Sequence, residues 1–167
     1  MRIRSKKIKD MIFYDSWLAK LILFGDYHTI MLFGGIFTKK KALSSPVIQH
    51  EKTHQIQFLE VMEVFQALFI LADAILFIVG VPETTLVLML VLTILVPPLM
   101  YYVVYGVEWL VSIIHWFFSK KKKDIVEANG KAYRNSAMEM EARFNERVKD
   151  YLLKRRPFAF IKYYGLI

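Results

Sequence analysis

Residues 45–80 read SPVIQHEKTHQIQFLEVMEVFQALFILADAILFIVG, and this stretch decides the fold. Its first part holds His50-Glu51-Lys52-Thr53-His54. On a helix, positions four apart lie on one face. His50 and His54 can therefore aim one ring nitrogen each at a single metal ion. Glu51 starts about 100° round from His50, within reach of a water on that ion. Zinc hydrolysis needs these parts: two neutral nitrogens, a water acidified to a pKa of about 7, and a carboxylate to take its proton. The plain alternative is a surface helix with two solvated histidines. Ser45 is expected as N-cap, with Pro46 at the first helical position.

The second part of the stretch, residues 62–80, is almost wholly apolar. At 1.5 Å per residue it spans about 28 Å, against a bilayer core of about 30 Å. Asp73 falls near its middle, an expensive intramembrane polar residue that should face protein or water. It reads best as a hydrogen bond to a neighbouring helix. A turn at 80–84 leads into residues 85–107, which carry no charge and form the clearest second span. Pro97-Pro98 should kink it. Tyr101, Tyr102, Tyr105, Trp109, Trp116, Phe117 and Phe118 form an aromatic belt and an interfacial extension to residue 118. His115, in that exit region, reads as an interfacial histidine rather than a ligand.

Ahead of the decisive stretch, residues 1–10 are basic, which suits an anionic lipid surface. Residues 11–25 have helical apolar spacing broken by Asp15 and Lys20, and predict an amphipathic interfacial helix. Residues 28–37, β-branched and aromatic with a Gly34-Gly35 break, predict one or two short strands. Beyond residue 118, Asn129-Gly130 predicts a turn, and Asn135 or Ser136 can cap a helix over about 136–153. That helix carries Glu139, Glu141 and Glu146. They read either as salt bridges with Arg143, Arg147 and Lys149 or as the source of a third metal ligand, Glu139 or Glu141. The basic, aromatic tail RRPFAFIKYYGLI suits an interface or a flap over the site.

Composition agrees. The 167 residues are 56% hydrophobic with a net charge of +8, more apolar than an ordinary soluble domain. With no cysteine, disulfides are excluded and a metal must be held by histidine and carboxylate. No nucleic-acid-reading motif is present, and no cleavable leader is recognisable. Basic residues cluster in the N-terminus, Lys39 to Lys41 and Lys120 to Lys123, and are missing from the 80–84 turn. The positive-inside rule then puts both termini and the site on the cytoplasmic side. The expected architecture is mainly α: a two-span transmembrane hairpin in one domain. Its parts are an N-terminal helix and short strands (1–44), the H-E-x-x-H helix and first span (45–80), the second span with its extension (85–118), and a ligand helix and tail (124–167).

His50-Glu51-Lys52-Thr53-His54 with Gln57 and Glu60, and then Ala132-Tyr133-Arg134-Asn135-Ser136-Ala137-Met138-Glu139-Met140-Glu141-Ala142, resembles the gluzincin metallopeptidases. The pattern is most similar to small bacterial membrane-associated zinc peptidases, and more distantly to the CAAX prenyl protease, HtpX-type and BlaR-type families. The resemblance covers roughly residues 28–60 and 130–164. It implies Zn²⁺ held by His50, His54 and Glu139, with Glu141 the alternative ligand and Glu51 as general base. It implies a strand at 29–33 that pairs with the substrate backbone. It further implies a peptide or protein substrate and a bacterial inner membrane. His28, Arg134, Tyr163 and Tyr164 are candidates to stabilise the oxyanion or orient substrate. Arg143 stands where the family has an aspartate that orients a ligand histidine, and Met138 where it usually has Phe. The expected function is a membrane-embedded zinc peptidase. The alternatives are a non-catalytic membrane protein with a structural zinc site and a regulatory sensor protease.

Overall fold

The computed structural model describes residues 11–25, 27–118 and 125–166. The basic residues 1–10, Asp26 and Lys120 to Lys123 lie outside the described residues. The chain is mainly helical, with a small three-stranded sheet near its start.

Residues 45–80 form one continuous helix, α2 (Ser45–Val79). Ser44 rather than Ser45 is its N-cap. The helix ends at Gly80, whose φ of 78° is left-handed and open to glycine without strain. After a two-residue turn, α3 (Glu83–Leu95) returns alongside it, and α4 (Pro97–Phe118) follows. The predicted second span is therefore two helices, broken where Pro97 and Pro98 cannot supply the backbone donors a continuous helix needs. Asp73 on α2 accepts a hydrogen bond from the Thr93 hydroxyl at 2.7 Å, and Gln66 donates to the Thr93 carbonyl at 2.9 Å. These bonds tie α2 to α3. Two helices, α2 and α4, are long and apolar enough to cross a membrane.

The sheet has the order β1-β3-β2. Strand β1 (Ile12–Phe13) runs parallel to β3 (Gly35–Thr38), and β2 (Thr29–Leu32) runs antiparallel to β3 on its other side. The predicted helix over 11–25 shrinks to α1 (Trp17–Ile22). The segment before it is drawn into the sheet: Ile36 N–H donates to Met11 O at 2.9 Å, and Ser16 N–H to Thr38 O at 2.9 Å. The β2–β3 turn is Phe33-Gly34, both at positive φ, the geometry a two-residue hairpin prefers. Its tip is pinned to the long helices. Gln55 donates to Gly34 O, and Phe33 N–H donates to the Tyr102 hydroxyl at 2.7 Å.

The last third departs most from the sequence reading. Asn129-Gly130 is not a turn but lies inside α5 (Ile125–Arg134). Glycine costs a helix about 1 kcal/mol, and α5 offsets this by packing on α4, where Trp109 Nε1 donates to Asn129 Oδ1 at 2.8 Å. The helix expected over 136–153 stops early, as α6 (Ala137–Asn145), and a short α7 (Tyr151–Lys154) follows. The carbonyls of Asn145 and Val148 turn to the Gln49 amide instead of extending the helix, and Asp150 takes a left-handed φ of 58°. The tail forms a 3-10 segment (Ala159–Leu166) against α6. It packs on α6 and is not among the residues that line the cleft beside His50 and His54.

One apolar cluster joins these parts. Met31 of β2, Phe58 and Val61 of α2, Tyr101 of α4, Met138 of α6 and Phe160 of the tail are all buried in it. Met138 and Ile36 are fully enclosed. This core fixes α6 against α2 about one turn past His54.

Candidate metal centre

Three side chains from distant parts of the sequence meet at one point: His50 and His54 on α2, and Glu139 on α6. His50 Nε2 and His54 Nε2 are 3.2 Å apart. Glu139 Oε1 is 3.5 Å from His50 Nε2, and Oε2 is 3.3 Å from His54 Nε2. Two donors each about 2.0–2.1 Å from one ion, at tetrahedral angles, would be about 3.3 Å apart. The observed edges match that spacing, and the donor set of two nitrogens and a carboxylate suits a transition-metal cation. The group can hold a metal ion.

The ring orientations have causes. The Gln57 amide donates from Nε2 to Met138 O and to Glu141 Oε2, both at 3.0 Å. Its oxygen is thereby the atom facing His54 Nδ1, at 2.8 Å. That nitrogen must carry the proton, leaving the Nε2 lone pair toward Glu139. The Tyr101 hydroxyl lies 3.3 Å from the same Nδ1. Tyr105 adds a long contact of 3.5 Å to Glu139 Oε2.

Glu139 sits in the first turn of α6, where the helix dipole favours a negative charge. Ser136 caps the helix by accepting from Glu139 N–H at 3.3 Å. Glu108 of α4 reaches the same end, accepting from Ala137 N–H at 2.7 Å and from the Tyr164 hydroxyl at 2.6 Å. Burial opposes ionisation of Glu139, but the hydrogen bonds and charge of His50 and His54 win and hold its carboxyl far below the usual range.

Glu141, the alternative ligand, is turned away from this point. It is fully buried against Arg155, with Nε to Oε1 at 2.6 Å and Nη2 to Oε2 at 3.1 Å. Arg155 also grips Glu60 at 2.6 and 3.0 Å, and the Tyr151 hydroxyl donates to Glu141 at 2.6 Å. Burial alone would lower the guanidinium pKa; the two carboxylates push it up instead.

An open cleft of about 160 Å³ fronts the group. Glu51, buried in α2, lines it beside His50 and His54. The facing walls are Thr29, Ile30 and Met31 of β2, Tyr101, Tyr102 and Tyr105 of α4, and Tyr133 of α5. The four residues expected near the oxyanion are elsewhere. His28 and Arg134 are exposed and do not line the cleft. The Tyr163 hydroxyl meets Asn145 Nδ2 at 3.0 Å, and Tyr164 is engaged with Glu108. Tyr105, whose hydroxyl reaches Glu139, and Tyr133 line the cleft instead. Sequence reading placed Tyr105 in a membrane belt and gave Tyr133 no role, because nothing local shows that α5 folds back on α4. His115 is exposed near the end of α4.

Among the described residues, strand β2 is an unpaired edge of the sheet, on the side away from β1. Ile36 turns its N–H to Met11 of β1, so Met31, opposite it across the hairpin, turns its N–H and C=O to the open side, as does Thr29. A free strand edge thus borders the cleft. No family model, curated protein or solved structure matches the chain.

Proposed function

We propose that this chain is a membrane-embedded zinc peptidase of the gluzincin kind. His50, His54 and Glu139 hold the ion, and Glu51 serves as general base. The observation that carries the reading is the convergence of two imidazoles and a carboxylate at tetrahedral spacing on a cleft that also holds a buried glutamate and a free strand edge. Zinc bound there would lower the pKa of water to about 7 and polarise a carbonyl.

The chain's own groups supply the rest. Thr29 and Met31 offer the backbone donors and acceptors with which an extended peptide extends the sheet, laying a scissile bond across the cleft. Glu51 takes a proton from the attacking water and returns it to the departing amine nitrogen as the C–N bond breaks. Tyr105 and Tyr133, which line the cleft, would donate their hydroxyls toward the oxygen on which charge develops. Burial pushes the Tyr133 hydroxyl above its ordinary pKa, so it stays a donor at neutral pH. A purely structural zinc staple would need neither the cleft nor Glu51.

The test is zinc content and peptide hydrolysis on the purified full chain, using a mixed peptide library read by mass spectrometry. Wild type should carry one zinc per chain and cut peptides, and a chelator should abolish cutting. Glu51→Gln should keep the zinc and lose at least about 10²-fold in rate. Zinc without hydrolysis in the wild type would leave the structural staple; no zinc at all would end both readings.

A further inference from the structure

Each imidazole has two nitrogens, and only one can serve a shared ion. His54 is set by the Gln57 amide. His50 has its own arrangement: Nε2 faces Glu139, and Nδ1 lies 3.3 Å from Glu146 Oε2. A carboxylate only accepts, so the proton belongs on Nδ1 and the lone pair on Nε2. We infer that Glu146 is the positioning residue of the metal centre, fixing the tautomer and ring angle of His50. The inference rests on the zinc reading above.

The placement of Glu146 is built rather than incidental. It is the C-cap of α6, at the start of the turn that ends the helix early. That turn is clamped to α2 by Gln49, whose amide takes the carbonyls of Asn145 and Val148 on either side of Glu146. Gln49 directly precedes His50. Asn145 anchors the turn from within, through Glu141 O at 2.7 Å and the Tyr163 hydroxyl. The second carboxylate oxygen faces exposed Arg147 at 3.8 Å, so its partner oxygen stays on the ring. Arg143, the other charged residue at this end of α6, is exposed.

A carboxylate on the far nitrogen of a ligand histidine also raises its basicity, and losing such a partner typically costs 10–100-fold in metal affinity. Zinc affinity of the purified chain in nanodiscs, measured by competition with a chromophoric chelator, reads this directly. Glu146→Ala should bind zinc about 10- to 100-fold more weakly. Glu146→Gln, whose amide oxygen still accepts from Nδ1–H, should recover most of the loss. Thermal unfolding of the metal-free proteins should not differ, since Glu146 is partly exposed. An affinity within twofold of wild type for Glu146→Ala overturns the assignment, as does equal loss in both variants.

A second measurement needs no variant. ¹⁵N NMR of the zinc-loaded wild type should show His50 protonated at Nδ1 and metal-bound at Nε2; the reverse tautomer overturns the inference. A wild type that takes no zinc fails earlier, at the site itself, and the two failures are told apart by that first titration.

Discussion

At the residue scale the centre is a competition for protons. A metal ion bound here would need both Nε2 lone pairs, and protons compete for them as pH falls. Glu139 does not share in this. Its carboxyl is already far below the usual range, because the imidazoles outweigh its burial. The sign follows: a depressed carboxyl stabilises the fold above the ordinary glutamate range, and that gain is lost only as pH falls through its lower native value. Acid should therefore strip the metal before it undoes the contact of α6 with α2. Zinc affinity should fall as pH drops, with a slope approaching about two decades per pH unit once protons compete for both Nε2 lone pairs. Chelator competition from pH 5 to 8, followed in parallel by circular dichroism, checks both parts. A slope under one decade, or loss of helix together with metal, contradicts this account. His50, Glu51 and His54 were legible as a set because the spacing that unites them is local. Glu146 was not, because its partner is 96 positions away and only the early end of α6 brings it near.

At the element scale, sequence reading did well where one periodicity ruled and poorly where tertiary contact overrode it. The helix over 45–80 emerged almost to the residue, since N-terminal capping signals, an apolar run and Gly80 all agreed. The strands at 29–32 and 35–38 came from β-branched residues and a turn. Residues 11–16 failed because β1 forms only by pairing with β3; the Ser136 cap was found, but the turn at 129–130 and the helix end at 153 failed because α5 and α6 are bounded by contacts with α4 and Gln49. Arg155 shows the cost of such non-local elements. It was read as part of a basic tail, yet its side chain is 2% exposed between Glu60 of α2 and Glu141 of α6. Arg155→Met would leave two carboxylates facing each other in the interior. Breaking a buried pair in this way costs about 3–5 kcal/mol. Denaturant unfolding of the detergent-solubilised chain should show that loss, and adding Glu60→Gln with Glu141→Gln should restore part of it. A change under about 1 kcal/mol would mean that the triad does not hold α6 in place.

At the scale of the whole molecule the question is which surface meets water. Helix α2 has 35 residues, about 52 Å long, and a bilayer core takes about 30 Å of it. The metal end, tied to the sheet and α6, accounts for the excess. In its most apolar window only 6% is buried within the chain, and Ile78 is 81% exposed. A core helix of a water-soluble protein would bury that window. Left in water, apolar surface costs about 25 cal/mol per Å², which accords with α2 and α4 being long and apolar enough to cross a membrane. For a crossing α2, the positive-inside rule expects the end nearer the basic clusters in the cytoplasm. The chain has no cysteine, which makes the geometry directly testable with single substitutions at exposed sites on either side. Lys40→Cys sits beside the sheet, and Glu83→Cys at the first residue of α3. In intact cells a membrane-impermeant maleimide should label Glu83→Cys and spare Lys40→Cys until the membrane is opened. Labelling of Lys40→Cys alone would reverse the orientation and put the metal centre outside. Equal labelling of both in sealed membranes would mean that α2 does not cross, and that its apolar face is covered by protein instead.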